Sequence, residues 1–404
     1  MEKEISLYSK RVVLEDKTVE AVITIKGKYI IRIETDPDIS LIKKAVNYKD
    51  NIIIPGIIDV HCHGFLSWGA KTTDKNEIKG LSKALTSVGV TSTLLTVTGW
   101  KEHEFEMLNT LGEAIEDGVE GAKILGIHME GPFYNPEKHN ATPRNEVIPP
   151  SITLCEKYYK ATKGHLRYMT LAPEMEGATE VIHWLNDHHI VAGGGHTLAS
   201  DEQMQHGIKE GLKVAIHTGN AMRQIDRRDV GALGASLLDK DLYCEIICDF
   251  IHIDPRMLQI MFKVKGTTDR FLLISDSDNL SGLQPGYYHT YGKNVFVNDE
   301  GKMTLDDGTI FGSSKYVLYG MENLVSKLRL SLEQVSRMSS LIPARVLGIE
   351  QEYGSISVDK YADLVIIDDH FNPVETYVNG RSVYKSEDPV TLNPEFNRIC
   401  QRLK

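Results

Sequence analysis

The chain of 404 residues lacks several features that would assign it to a special class of protein. No run approaches the roughly 20 consecutive apolar residues that a membrane-spanning helix requires. The first residues, MEKEISLYSK, lack the apolar segment of a signal peptide. There is no basic tail or stripe, and the net charge is −11, so nucleic acid is a poor partner. We therefore expect a cytoplasmic protein that acts without a membrane or nucleic acid.

Cysteine is scarce, and the sequence contains neither internal repeats nor low-complexity segments. An odd, scattered set of five cysteines in a cytoplasmic chain is typical of reduced thiols and not of a disulfide framework. The apolar fraction of 41% is ordinary, and the length suffices for one large domain and a smaller one. The cysteines are Cys62, Cys155, Cys244, Cys248 and Cys400.

Eight short apolar segments, each followed by a polar or Gly-rich loop, occupy the middle of the sequence. Helical stretches such as EMEGATEVIHWLNDH and SDEQMQHGIKEG separate several of them. Strands that alternate with helices predict a parallel sheet with crossover helices. Eight such units in about 290 residues predict a closed (β/α)8 TIM barrel. The segments are IIDVHCH, TSTLLTVTG, KILGIHMEG, RYMTLAPE, IVAGGGHT, KVAIHTGN, CEIICDFIHID and RFLLISDSD.

The two ends of the chain have a different pattern. Near the N-terminus, VVLEDKTVEAVITIKGKYIIRIE alternates apolar and polar residues, which is typical of strands. Near the C-terminus, the Asn379–Gly380 pair indicates a hairpin turn between two further strand-like runs. We predict that residues 1–52 and 345–404 form one small β-sandwich domain, with the barrel domain of residues 53–344 inserted between its halves.

Side chains that bind metals follow the ends of the predicted barrel strands. In a TIM barrel the C-terminal strand ends converge on the active site, so these residues should meet in space. His61 and His63 are two apart and therefore share one face of their strand, the barrel interior. A lone histidine among fifteen is ordinarily a surface or core residue, so the prediction depends on the joint position of the whole set. The set comprises His61, His63, Glu130, His196, His217 and Asp276.

This donor set predicts a divalent metal centre. Imidazoles together with a carboxylate suit zinc, although the same ligands also accept iron, cobalt or manganese. The pattern leaves open whether one or two ions are bound.

A series of short motifs resembles the amidohydrolase superfamily and, within it, the N-acetylglucosamine-6-phosphate deacetylases. The resemblance runs nearly from end to end, and it depends on the order and spacing of the motifs more than on any single one. It implies a TIM-barrel hydrolase that converts N-acetylglucosamine 6-phosphate into glucosamine 6-phosphate and acetate, and it implies a homodimer. The motifs are PGIIDVHCHG, GIHMEGPFYNPEK, TLAPE, GGHT, AIHTGNAM, RRDVGALGASL, EIICDFIH, LISDS, DGTIFGSS, PARVLG and YADLVIID.

The resemblance also implies roles for the predicted site residues. Glu130, His196 and His217 would hold the metal that all such deacetylases share. His61 and His63 would supply a second site, which occurs only in members that retain this pair. Asp276 would be the catalytic acid–base residue.

Further residues would bind the substrate if the resemblance holds. Asn220, Ala221 and Arg228 would bind the sugar phosphate, and His252 would contact the sugar and the substrate carbonyl. Thr142 occupies a substrate position where these deacetylases usually have His or Gln, and the nearby His139 is a possible substitute.

Other departures from the family pattern also lie near the sugar or acyl group, and they leave the substrate open. These are Gly219, Phe250, Phe311 and the segment SDNLSG after Asp276. The alternatives are another amino-sugar phosphate, such as N-acetylgalactosamine 6-phosphate, or another acylated amine. A second alternative is a barrel that has lost its metals and acts as a binding protein, which the complete ligand set argues against.

Overall fold

The computed structural model describes residues 4–99, 101–394 and 401–403. The strands are β1 (Glu4–Val13), β2 (Thr18–Lys26), β3 (Tyr29–Thr35), β4 (Val46–Asn47), β5 (Ile52–Pro55), β6 (Ile57–Cys62), β7 (Gly64–Phe65), β8 (Trp68–Gly69), β9 (Val90–Val97), β10 (Lys123–Phe133), β11 (Leu166–Leu171), β12 (Val191–Gly194), β13 (Val214–Ala215), β14 (Tyr243–Ile246), β15 (Phe271–Leu273), β16 (Gly286–Thr290), β17 (Lys293–Val297), β18 (Met303–Leu305), β19 (Leu364–Ile367), β20 (Pro373–Val378), β21 (Arg381–Lys385) and β22 (Gln401–Leu403). The α-helices are α1 (Ile39–Ile42), α2 (Lys75–Thr86), α3 (Glu104–Asp117), α4 (Ile152–Ala161), α5 (Ala178–Asp187), α6 (Asp201–Glu210), α7 (Gly231–Leu238), α8 (Pro255–Lys265), α9 (Val317–Leu328), α10 (Leu332–Ser336) and α11 (Ile342–Leu347).

Eight parallel strands form the central barrel, in the order β6, β9, β10, β11, β12, β13, β14 and β15. Backbone hydrogen bonds join its first and last strands, since Asp276 N donates to His61 O at 3.0 Å and His63 N donates to Ser277 O at 2.8 Å. The buried carboxylate of Asp59 reinforces this seam by accepting a hydrogen bond of 2.5 Å from Ser275 Oγ. These contacts confirm the predicted barrel, and they place His61 and Asp276 side by side.

A mixed sheet from both chain ends lies beside the barrel, as predicted. Its strand order is β21, β20, β19, β5, β1, β2 and β3, with β4 also paired to β1. The period of two along β5 decides how the sheet packs. Ile52 and Ile54 point into the barrel's hydrophobic core, whereas Ile53 points into a second core inside the small sheet. The two cores therefore meet across a single strand.

The barrel helices begin and end at residues that satisfy their free backbone groups. Ser200 and Gln203 form a capping box at the start of α6. Gly211 ends the same helix in the left-handed conformation, which glycine adopts without steric cost. Within the described residues, no helix is long and apolar enough to cross a membrane.

A small antiparallel sheet inserted after the eighth barrel strand was not predicted. Its order is β18, β17, β16 and β22, and its side chains enclose a third small core that includes Tyr288, Val295 and Phe311. The two-residue turn between β16 and β17 has positive φ at both Tyr291 and Gly292, which is the geometry of tight hairpins.

The four cysteines within the described residues are buried free thiols: Cys62, Cys155, Cys244 and Cys248. Cys400 lies outside the described residues.

The segment that follows β21 lies against the barrel and packs beside the β7–β8 hairpin. Asn393 N donates to Ser67 Oγ at 2.8 Å, and Asn393 Nδ2 donates to Glu77 Oε1 at 2.7 Å. Burial raises the pKa of Glu77 to about 7, even though hydrogen bonds from Asn393 and Thr72 act in the opposite direction. Above neutral pH the fold therefore holds a buried carboxylate at this point.

We expect Glu77→Gln to remove a pH dependence of stability. A carboxyl group with a raised pKa stabilises the fold fully below its unfolded value of 4.5, and this contribution is lost as the pH rises through about 7. The stability of the unaltered protein should thus fall relative to that of the variant as the pH rises. The difference in free energy of unfolding should shift by about 1–2 kcal/mol in favour of the variant between pH 5 and pH 8. Urea denaturation at both pH values measures it, and an equal difference at the two would contradict the assignment.

Candidate active site

The C-terminal ends of three barrel strands bring one carboxylate and two imidazoles together. Glu130 Oε1 lies 3.1 Å from His217 Nε2 and 3.2 Å from His196 Nε2. The two Nε2 atoms are themselves 3.2 Å apart. Ligand atoms about 2.0–2.1 Å from a tetrahedral zinc ion lie about 3.3 Å from one another, so this triangle has nearly the size that such an ion requires.

A second triad shares the same carboxylate. His61 Nε2 lies 3.5 Å from Glu130 Oε1, and His63 Nε2 lies 3.3 Å from Glu130 Oε2. Both Nε2 atoms are also 3.4 Å from Asp276 Oδ1. The structure therefore brings together all six residues that the sequence singled out: five form two candidate ligand groups that share Glu130, and Asp276 lies beside His61 and His63.

The buried side chain of Glu245 orients both groups. Its Oε2 lies 3.0 Å from His61 Nδ1 and accepts the backbone N–H of His217 at 3.1 Å, while its Oε1 accepts the hydroxyl of Tyr168 at 2.8 Å. With a proton on Nδ1, His61 presents an unprotonated Nε2, and among the described residues that buried atom has no hydrogen-bond partner. An orphaned, fully buried nitrogen aimed at two carboxylates fits a cation ligand.

The electrostatics of the cluster also favour a bound cation. Burial alone would lower the pKa of His61, but the charges of Asp276 and Glu130 raise that pKa well above its ordinary value. Burial also lowers the pKa of His63, but the same two carboxylates raise it overall, to about 9. Positive charge is therefore strongly favoured between these groups, and a divalent ion would supply it in place of protons.

Backbone strain is concentrated at the same residues. His196, His217 and Asp276 have φ values of 47°, 25° and 50°, which side chains with a Cβ rarely adopt. Such conformations persist where the surrounding structure enforces them, and they cluster at functional sites. Here they turn each side chain at its strand end into the space above the barrel.

That space is a cavity of about 330 Å³. It is large enough for a small metabolite. Most of the predicted site residues line it, while His61 is fully buried beneath it. The predicted residues on its wall are His63, Glu130, Thr142, His196, His217, Asn220, Ala221, His252 and Asp276.

Asp249 holds His252 in a defined orientation. Asp249 Oδ2 lies 2.8 Å from His252 Nδ1, and Oδ1 accepts the backbone N–H of His252 at 2.9 Å. Although burial acts in the opposite direction, these hydrogen bonds lower the pKa of Asp249 to about 2. The ring is therefore fixed through Nδ1, which leaves Nε2 available to a substrate in the cavity.

Four residues that the sequence analysis placed near the substrate are not among the lining residues of the cavity: Arg228, His139, Gly219 and Phe250. Arg228 is exposed in the turn before α7, where its backbone N–H donates to Asp226 Oδ1 at 3.1 Å. His139 is also not among the lining residues, and its Nδ1 donates to Thr142 O at 2.7 Å, so it braces the backbone of that neighbour. The binding role of Arg228 stays a prediction.

The cavity also has lining residues that the sequence analysis missed. Lys71 follows the β7–β8 hairpin, and Tyr291 and Lys293 belong to the unpredicted β16–β17 hairpin. The alternating runs on either side of Tyr291–Gly292 were a usable signal for that hairpin. Nothing local in the sequence marks Lys71 as a cavity residue.

Comparison with known proteins agrees with this geometry. The amidohydrolase family model matches residues 52–383. The chain therefore belongs to the amidohydrolase family.

Its relatives narrow this class to the deacetylases of amino-sugar phosphates. An N-acetylglucosamine-6-phosphate deacetylase of Bacillus subtilis is 33% identical over 84% of this chain and 86% of its own length. An N-acetylgalactosamine-6-phosphate deacetylase of Escherichia coli O157:H7 is 27% identical over 83% of this chain and 89% of its own. The structure of a Mycobacterium smegmatis N-acetyl-D-glucosamine-6-phosphate deacetylase variant, in complex with N-acetyl-D-glucosamine-6-phosphate, matches with a TM-score of 0.88 at 25% identity, covering 95% of this chain and 100% of that one. The predicted family is thus confirmed.

We expect Glu245→Gln to weaken metal binding, most strongly at the group that contains His61. Without the carboxylate, the N–H of His61 Nδ1 loses its charged acceptor, and losses of this kind typically cost 10- to 100-fold in metal affinity. Metal content after dialysis against graded chelator measures the effect. The matched control is Glu375→Gln. Glu375 is a buried carboxylate on β20, in the sheet formed by both chain ends, and it accepts a hydrogen bond from Tyr48. Equal metal retention in the two variants would contradict the orienting role of Glu245.

Proposed function

We propose that this protein hydrolyses the acetyl amide of N-acetylglucosamine 6-phosphate, releasing glucosamine 6-phosphate and acetate. The observation that carries the proposal is the convergence of Glu130, His196, His217 and Asp276 on the wall of one cavity. The relatives that share this chain's family are named as deacetylases of amino-sugar phosphates. The intact ligand set argues against the alternative of a barrel that only binds.

We also propose that the metal is zinc, held by Glu130, His196 and His217, with a second ion at His61 and His63. When bound, such an ion polarises a carbonyl group and lowers the pKa of water from 15.7 to about 7. The homodimer and the cytoplasmic location that the sequence analysis predicts belong to the same proposal.

Asp276 is the proposed proton carrier. It lines the cavity within 3.4 Å of both His61 Nε2 and His63 Nε2. Burial raises its pKa, but the charges of these rings lower it overall, so the carboxylate is ionised at neutral pH and able to accept a proton. It takes a proton from the attacking water and passes it to the departing amine, because an amine is a poor leaving group as an anion. The alternative interpretation is that Asp276 binds the metal and does not transfer a proton.

His252 is the proposed partner of the substrate carbonyl or a sugar hydroxyl. Burial lowers its pKa, but the hydrogen bond and charge of Asp249 raise it overall, which favours the imidazolium form, in which Nε2 carries a proton to donate. A donor fixed in advance at the reacting carbonyl stabilises the negative charge that develops on its oxygen. Thr142, Asn220 and Ala221 line the same cavity and are proposed to contact the substrate. The proposed role of Arg228 is to bind the phosphate.

N-Acetylgalactosamine 6-phosphate is the second candidate substrate. One relative is named for that substrate. Phe311 and Asp278, which depart from the usual deacetylase pattern, line the cavity. Such residues act on the sugar or acyl group and leave the metal chemistry unchanged.

Metal removal and a substrate panel test the proposed function. The chelated protein should be inactive, and zinc should restore acetate release from N-acetylglucosamine 6-phosphate. Manganese, cobalt and iron(II) in parallel identify the preferred ion. Faster turnover of N-acetylgalactosamine 6-phosphate would identify that sugar phosphate as the substrate. Metal-independent binding without acetate release would show that the protein is a binding protein and not an enzyme.

Asp276→Asn should retain the metal and lose nearly all turnover. The amide cannot accept a proton, so kcat should fall by about 10²–10⁴-fold, the usual contribution of a general acid–base residue. Metal content by mass spectrometry and steady-state acetate release distinguish the two roles. Loss of metal together with activity would show a ligand only, and near-normal kcat would exclude the proton-carrying role.

A further inference from the structure

Tyr134 contacts two of the proposed metal ligands, and the chemistry described above gives it no role. It directly follows β10, and its side chain is fully buried. Its ring stacks on the imidazole of His196, with the ring centres 4.0 Å apart and the planes at 20°. Its hydroxyl donates a hydrogen bond to the backbone oxygen of Glu130 at 2.6 Å. One side chain therefore touches a ligand on β10 and a ligand that follows β12.

Gly131 leaves the room that this ring occupies. A Cβ atom at position 131 would lie 2.6 Å from Cζ of Tyr134, which is closer than two non-bonded carbon atoms pack. Gly131 also has a φ of 86°, a conformation that favours glycine. The ring of Tyr134 can therefore lie back over its own strand, beside Glu130, because the residue after Glu130 has no side chain.

The segment that follows β10 also fixes the tautomer of His196. Its Nδ1 lies 2.6 Å from Lys138 O, and a carbonyl oxygen can only accept, so Nδ1 carries the proton. Nε2 is then unprotonated, and it lies 3.2 Å from Glu130 Oε1. The hydrogen bond to Lys138 sets which nitrogen faces the proposed metal, and the stacked ring of Tyr134 restricts rotation of the imidazole about that bond.

The hydroxyl of Tyr134 also connects the ligands to the cavity wall. Thr142, which lines the cavity, forms a side-chain hydrogen bond with Tyr134. A phenol has one proton, and that of Tyr134 goes to Glu130 O, so the hydroxyl of Thr142 is the donor in this pair. The remaining lone pair of the Thr142 oxygen is available to the cavity, where it can only accept a hydrogen bond.

We propose that Tyr134 is a positioning residue that holds His196 in the orientation for metal binding and makes Thr142 a hydrogen-bond acceptor for a hydroxyl group of the substrate. A sugar hydroxyl matches this acceptor because it carries a proton to donate. The part that concerns Thr142 rests on the proposed deacetylase function. The part that concerns His196 requires only that the ligand group binds a metal.

Variants that separate the ring from the hydroxyl group test the proposal. Tyr134→Phe keeps the stacked ring and removes the hydroxyl, whereas Tyr134→Leu removes both. Thr142→Val removes the acceptor, and Thr142→Ser keeps it. Tyr377→Phe is the matched control, because it removes a buried tyrosine hydroxyl, hydrogen-bonded to that of Tyr48, from the sheet formed by both chain ends.

Metal retention after dialysis against graded chelator measures the effect on His196. Tyr134→Leu should bind metal about 10- to 100-fold more weakly, because the plane of the imidazole is no longer held. Tyr134→Phe and Tyr377→Phe should match the unaltered protein. Tyr134→Met, which fills more of the space with a flexible side chain, gives the same comparison if Tyr134→Leu does not fold. Full retention without the ring, or an equal loss in Tyr134→Phe, would overturn the positioning of His196.

Steady-state kinetics with N-acetylglucosamine 6-phosphate measure the effect on Thr142. Tyr134→Phe and Thr142→Val should each raise KM about 3- to 10-fold, the usual value of one hydrogen bond, with kcat nearly unchanged. Thr142→Ser should keep the KM of the unaltered protein. The combined variant should raise KM no further than Thr142→Val alone, because the two hydroxyl groups act as one unit. Effects that multiply would overturn the coupling.

Deoxy analogues identify the hydroxyl group that Thr142 accepts. Analogues of N-acetylglucosamine 6-phosphate that lack the hydroxyl at C1, C3 or C4 are compared in the unaltered protein and in Thr142→Val. The analogue that lacks the bound group should show the same KM in both proteins. If all three analogues respond to the substitution, Thr142 does not accept a hydrogen bond from any of these hydroxyl groups and this part of the proposal is wrong.

The proposal and the proposed function fail in different ways. An unaltered protein that binds metal and releases no acetate would contradict the proposed function. Metal retention would still decide the role of Tyr134 at His196. Calorimetry of the same sugar phosphates in an Asp276→Asn background would decide the role of Thr142, since it measures binding without turnover.

Discussion

The structure depends on one carboxylate shared by four imidazoles. Glu130 lies between His196 and His217 on one side and His61 and His63 on the other, and Glu245 fixes the second pair to the first through His61 and the backbone of His217. So much buried charge would be costly on its own, because each ion loses its hydration. A divalent cation makes the arrangement favourable, and this explains why strained backbone is tolerated at the same strand ends.

The barrel and the site stabilise each other at the seam between the first and last strands. Asp59 and Ser275 are hydrogen-bonded there, and the backbone of Asp276 donates to His61 O. Closure of the sheet therefore also places Asp276, the proposed proton carrier, beside His61. The small sheet from both chain ends packs on the barrel through β5, away from the cavity lining.

Metal chemistry and substrate choice reside in different parts of the molecule. The proposed metal ligands lie at the strand ends of the barrel, whereas Lys71, Tyr291, Lys293 and Phe311 lie on inserted loops and a hairpin. A rigid scaffold with variable loops allows the substrate to change while the hydrolytic apparatus is kept. Of the departures from the usual deacetylase pattern, Phe311 lies on this loop side of the cavity.

The sequence by itself determined the parallel barrel and the six converging residues, because strand periodicity and strand-end position are local signals with a definite geometric consequence. It also indicated the sheet built from both chain ends. Only the tertiary structure brought Glu245 beneath His61, moved Arg228 off the cavity wall and laid the ring of Tyr134 against His196. Those positions depend on loop paths and on contacts between residues far apart in the chain, and no periodicity in the sequence encodes them.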